Sequence, residues 1–113
     1  MEKLDKVKTL FSALGSRKRL RILKLLESGE HYCASLAHIV GISTPAAYRY
    51  LKAMVDAGLL RRRETEKLVY YSLAPNGTQD GKLARKVCAL LKGDPTVKKD
   101  FLAMRSEKPV YRG

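Results

Sequence analysis

The segment from Gly41 to Glu64, GISTPAAYRYLKAMVDAGLLRRRE, narrows the choice of fold more than any other part of the 113-residue chain. Ser43 and Thr44 can each cap a helix, and Pro45 falls in its first turn, where a missing N–H removes no hydrogen bond. At about 100° per residue, Pro45, Arg49, Lys52 and Asp56 share one face, with Tyr48 at its edge. Ala47, Tyr50, Leu51 and Met54 share the opposite face. A helix of this pattern is packed on one side, with Tyr50 pointing inward, and offers short polar, aromatic and cationic groups on the other. It stops at Ala57-Gly58 and runs into three consecutive arginines, which core packing alone does not call for.

The surrounding pattern is helical with one hairpin. Leu4, Val7, Phe11 and Leu14 recur at spacings of three or four and mark one stripe of a first helix, stopped by Gly15. Arg17 to Glu27 repeats the pattern with Leu20, Leu23 and Leu26, adds Ile22 and Leu25, and stops at Ser28-Gly29, so this helix is expected at the centre. Ala34 to Val40 makes a short helix closed by Gly41. With the Thr44 helix it completes a helix-turn-helix, in which Gly41 suits the tight turn and Ala37 and Ile42 suit the packing between helices. LLRRRETEKLVYYSL alternates around a polar ETEK tip, as two strands of a hairpin do. APNGTQDG reads as a loop. Leu83, Val87, Leu90 and Leu91 define a further amphipathic helix, broken at Gly93-Asp94-Pro95. A last short helix is expected from Val97 to Met104, followed by a mobile tail, SEKPVYRG. The expected fold class is mainly α with a small β-hairpin, a winged helix-turn-helix. Residues 1–92 form the body and 93–113 an extension.

Charge identifies the partner. The chain carries 23 Lys and Arg against 11 Asp and Glu, a formal net charge of +12, which points to a polyanion. The cations do not gather on one face of a long helix with aromatics opposite, so nucleic acid is favoured over a membrane surface. No apolar run approaches the roughly 18 residues of a membrane span, and no stretch reads as an export signal. The cytoplasm is the compartment expected. Cys33 and Cys88 are far apart and form no CxxC pair, which suits a reducing compartment. No nucleophile flanked by a base, HExxH or phosphate-cradling glycine loop is present, so an enzyme is not expected. Two classes remain: a sequence-specific regulator of double-stranded DNA, and a basic architectural protein that coats DNA.

From Leu14 to Leu73 the chain resembles the ArsR/SmtB family of winged helix-turn-helix repressors. The likeness runs through the Leu-Gly opening and its Arg-Leu-Arg-Ile-Leu, the Gly-Ile-Ser-x-Pro-Ala turn, the helix end YLKAMVDAGL and the closing strand Val-Tyr-Tyr-x-Leu. The resemblance implies a homodimer joined through the first and penultimate helices and bound to an imperfect inverted repeat. By position, Thr44, Pro45, Ala46, Tyr48 and Arg49 are the groove-facing residues it implies. The charge pattern adds Lys52 on the same helix and Arg61, Arg63 and Lys67 on the wing. Leu4, Val7, Phe11, Leu83, Val87, Leu90 and Leu91 are the expected interface.

The departures from the family pattern bear on sensing. Metal-sensing relatives carry Cys-x-Cys before the recognition helix; here Tyr32 and Ala34 stand at those positions, with Cys33 between them. A second family site needs histidines in the penultimate helix, and QDGKLARKVCALLK has none. No metal and no cofactor are therefore expected, and DNA release is not expected to be metal-driven. His31 and His38 read as surface polar residues at a helix start and end. Cys33, next to His31 and near a helix N-terminus, is the redox candidate, with a lowered pKa expected. The wing turn has Glu66 where many relatives have glycine. The inducer is not named by any motif.

Overall fold

The computed structural model describes residues 2–106. In chain order the elements are α1 (Lys3–Leu14), α2 (Arg17–Leu26), β1 (His31–Tyr32), α3 (Cys33–Val40), α4 (Thr44–Asp56), β2 (Leu60–Glu64), β3 (Val69–Leu73), α5 (Gln79–Leu90) and α6 (Pro95–Ser106). The chain is a winged helix-turn-helix.

α2 is the central helix. Its Ile22, Leu23, Leu25 and Leu26 are buried, and it touches α1, α3, α5, α6 and β3. Each such side chain contributes roughly 1.5–3 kcal/mol by leaving water. Leu36, Leu51, Met54, Leu59 and Leu60 complete the core from the helix-turn-helix and the start of the wing.

The turn between α3 and α4 is set by backbone geometry. Gly41 sits at φ 78°, in the left-handed region, and the N–H groups of Gly41 and Ile42 both donate to the Ala37 carbonyl, at 2.9 and 3.0 Å. The chain leaves α3 at once in a new direction. Ser43 then caps α4, its hydroxyl accepting from the Ala46 N–H at 3.2 Å, with Pro45 in the first turn. Gly58, at φ 88°, ends α4 by the same device, with the Gly58 and Leu59 N–H groups donating to Val55 and Met54. Two glycines thereby set the angles at which α4 enters and leaves the core.

The wing holds one strand more than the sequence pattern shows. β2 and β3 form the expected hairpin, with Leu60 opposite Leu73, Arg62 opposite Tyr71 and Arg63 opposite Tyr70. β1 adds antiparallel to the other edge of β3, pairing His31 with Tyr71 and Tyr32 with Tyr70. Two residues are too few to show alternation, so only pairing with β3 makes this a strand. The tip closes without glycine. The Thr65 hydroxyl accepts from the N–H groups of Lys67 and Leu68, at 3.4 and 3.1 Å, and donates to the Leu68 carbonyl at 3.0 Å.

The C-terminal segment is more than a short helix. α6 runs for 12 residues and packs against α2 and α3. Asp94 starts it by accepting from the Val97 N–H at 3.1 Å. Arg21 of α2 then donates two hydrogen bonds to the Asp100 carboxylate, at 2.9 and 2.8 Å, and Asp100 is only 4% exposed. Most of the tail expected to be mobile, from residue 107 on, lies outside the described residues.

Candidate nucleic-acid interface

α4 presents the expected two faces. Ala47, Leu51 and Met54 are buried, while Thr44, Pro45, Arg49 and Lys52 are exposed, Tyr48 is 49% exposed and Ala46 half-buried. Tyr50 faces inward as predicted, half-buried, with the Arg19 guanidinium 5.1 Å from its ring centroid. The N-terminal turn, with its free N–H groups and positive dipole end, opens on the same side as Arg49.

Strand alternation divides the three wing arginines. Arg61 and Arg63 share one face of β2, and Arg62 lies on the other, opposite Tyr71. Arg63 donates two hydrogen bonds to Glu30, at 3.0 and 2.9 Å, and its guanidinium lies 4.6 Å from the Tyr70 ring. That pairing holds the Glu30 carboxyl below its usual range. Arg62 instead lines a cavity of about 490 Å³ between wing and α4, shared with Thr44, Tyr48 and Arg49, and with Cys33 and Tyr71. Arg62 belongs to the basic wing expected beside DNA, and the structure separates it from its two neighbours. The signal that marks it is period two: counting from buried Leu60, residue 62 faces the helix and residues 61 and 63 do not.

The predicted cations thus differ in their state. Lys52 is paired with Asp56 at 3.0 Å, one helical turn away, and Arg63 with Glu30. Arg49 and Arg61 have no ion-pair partner among the described residues. Lys67 is exposed at the wing tip.

Sequence comparison agrees with this geometry. Residues 16–62 match the family described as bacterial regulatory protein, arsR family, a span that takes in the central helix, the helix-turn-helix and the start of β2. Over this segment the chain is similar to the ArsR family. The chain is 34% identical over 71 residues to the HTH-type transcriptional regulator Rv0324 of Mycobacterium tuberculosis, covering 63% of this chain and 31% of that protein. It is 35% identical over 68 residues to the cadmium resistance transcriptional regulatory protein CadC homolog of Staphylococcus aureus, covering 59% of this chain and 56% of the relative. The chain therefore spans less than two thirds of either relative. Among solved structures, the homodimeric winged helix-turn-helix DNA-binding domain of Mb0332 from Mycobacterium bovis superposes with a TM-score of 0.69 at 28% identity, over 81% of this chain and 83% of that one. These relatives are transcriptional regulators, not enzymes.

Cys33 departs from one expectation. It is the first residue of α3, half-buried, with its thiol donating to the Thr44 carbonyl at 3.6 Å. Burial pushes the thiol above its ordinary value of 9.0, where a lowered pKa was expected, because desolvation disfavours the thiolate. Cys88 is fully buried in α5, donates to the Leu23 carbonyl, and is pushed up to about 11. His31 belongs to β1 rather than to a helix start, with Nε2 3.3 Å from the Ser28 hydroxyl. His38 is exposed in the last turn of α3. Among the described residues, no group of three or more His, Cys, Asp and Glu is placed to hold a metal ion.

The residues expected at an interface differ in exposure. Leu4, Phe11 and Leu90 are 79%, 67% and 83% exposed, and Val7 is exposed beside them. Leu83 and Val87 are half-buried on α5, and Leu91 is half-buried just beyond its end. Val7 and Leu83 face each other across a groove of about 670 Å³ between α1 and α5. No described helix is long and apolar enough to cross a membrane.

Proposed function

We propose that the protein is a repressor that binds an inverted-repeat operator in double-stranded DNA as a homodimer. The observation that carries this reading is the outer face of α4. Tyr48 and Arg49 project from a capped helix N-terminus, and Arg49 shares a cavity with Arg62 of the wing. In a major groove, Thr44, Pro45, Ala46 and Tyr48 meet base edges and methyl groups, and Arg49 is suited to the acceptor pair of guanine. Arg61, Arg62, Lys67 and Lys52 supply phosphate contacts beside it. Arg63 joins them by giving up Glu30, as Lys52 gives up Asp56 and Arg62 gives up Glu64; all of these groups are exposed, so the pairs are weak and phosphate competes for them. One recognition helix reads too few bases for specificity, and the apolar α1 and α5 faces are the surface on which two copies meet.

Selection of duplexes from a random pool, followed by anisotropy titration, tests this. A selected sequence should bind about 10³-fold or more tighter than bulk DNA. Arg49→Ala should lose about 1–3 kcal/mol on it and far less on bulk DNA, whereas Arg63→Ala should weaken both alike and reduce the salt slope by about one. A ratio near one for the native protein would instead identify an architectural coat. Uniform loss from Arg49→Ala would remove it from base reading.

A further inference from the structure

α6 meets α2 along a cleft whose chemistry the DNA-binding reading does not use. The space is about 370 Å³, within the range that accommodates small ligands. Its floor is apolar, with Val97 buried and Phe101 half-buried. Leu102, 62% exposed, extends the apolar surface to the mouth. Around this floor stand four cations: Lys24 from α2, Lys92 from the turn before α6, and Lys98 and Arg105 from α6 itself.

The nearby carboxylates leave most of that charge uncompensated. Lys24 is paired with Glu27 at 2.6 Å, its side chain only 12% exposed. Asp94 is engaged by the Val97 N–H, and Asp100 by both guanidinium donors of Arg21. Lys92, Lys98 and Arg105 have no ion-pair partner among the described residues. The Arg21–Asp100 bridge holds α6 on α2, so both walls of the cleft are fixed.

We propose that the α2–α6 cleft binds an amphipathic organic anion, a carboxylate or sulfonate on an apolar body of roughly ten to fifteen heavy atoms. The occupant's apolar part covers Val97, Phe101 and Leu102 while its head group meets the lysines at the rim. Charge decides against the other candidates. A second copy meets this chain through the α1 and α5 faces in the proposed dimer, and the same α6 surface of another copy would set Lys92, Lys98 and Arg105 against their own equivalents. The chain's last residues, Glu107 to Gly113, contain one acid against two bases. A DNA backbone satisfies the charge but leaves the apolar floor uncovered.

Two probes with the same tail and opposite heads, decanoate and decyltrimethylammonium, separate charge-directed binding from simple apolar adsorption. Titration of the full chain, followed by backbone amide NMR, should show saturable decanoate binding below about 1 mM, one per chain. Shifts should be concentrated at residues 92–105 and along α2. Decyltrimethylammonium should bind at least tenfold more weakly. Lys98→Glu, an exposed substitution whose folding is checked by circular dichroism, should weaken decanoate at least tenfold, and Lys98→Arg should restore it. Equal binding of the two probes, shifts centred on α1 and α5, or indifference to Lys98→Glu would each overturn the proposal. So would displacement of decanoate by duplex DNA with no change at Phe101.

Discussion

Arg62 and Arg63 are adjacent in sequence, yet Arg63 is held by Glu30 and stacks near Tyr70 while Arg62 hydrogen-bonds Tyr71 and faces the recognition helix. A period of two separates such neighbours, so a basic run on a strand is two surfaces rather than one patch. Cys33 shows how position alone misleads. A helix N-terminus was expected to favour the thiolate, but burial disfavours it, and a raised pKa leaves less thiolate at neutral pH than a free cysteine has. Iodoacetamide at pH 7.5 should therefore alkylate Cys33 more slowly than free cysteine, with the rate still climbing as pH rises past 9.0. Cys88, pushed to about 11 and fully buried, should react only on unfolding. Rapid modification of Cys33, together with loss of DNA binding after peroxide that Cys33→Ser abolishes, would restore it as a redox sensor.

α4 depends on its ends as much as on its faces. One of its first-turn donors, the Ala46 N–H, is met by the Ser43 hydroxyl, and both its approach and its exit turn through left-handed glycines. Ser43→Ala should lower stability by about 1 kcal/mol, measured by urea unfolding, because the Ala46 N–H loses its acceptor. DNA affinity should fall by more than that loss of folded protein explains, since the same turn is the one presented to the groove. An unchanged midpoint would mean that water caps the helix equally well. On the wing, Thr65 does locally what glycine does in many relatives: its hydroxyl satisfies two N–H groups and the turn needs no positive φ. The tip is therefore tight and presents Lys67 from a defined loop.

At the scale of the whole molecule, two surfaces flank the central helix and differ in character. The α1 and α5 face is apolar and open, with Leu4, Phe11 and Leu90 largely exposed. Phe11→Glu combined with Leu90→Glu should leave a folded monomer in sedimentation and reduce operator affinity by at least tenfold, because two half-sites are no longer engaged together. A monomeric native protein with undiminished affinity would contradict the dimer. On the other side, α6 is fastened by Arg21 and Asp100, whose carboxylate is almost entirely buried. Asp100→Ala should cost about 2–3 kcal/mol in thermal or urea unfolding, less than a fully enclosed pair, because Arg21 keeps some access to water. Retention of native stability would show that α6 is an appendage.

The helices, the capped recognition helix, the turn at Gly41 and the hairpin were all legible in the chain, because each is written in local terms: three-four spacing, a capping hydroxyl, a glycine at a stop, alternation about a polar tip. The face of α4 was legible too, since a helix converts spacing directly into direction. β1 was not, because two residues carry no period and become a strand only when β3 lies beside them. Nor were the partners of the cations: Arg63 meets Glu30 from 33 residues away and Arg21 meets Asp100 from 79. The raised thiol of Cys33 and the cleft beneath α6 have the same origin. Burial and charge pairing are sums over residues distant in sequence, and only the packed tertiary structure performs them.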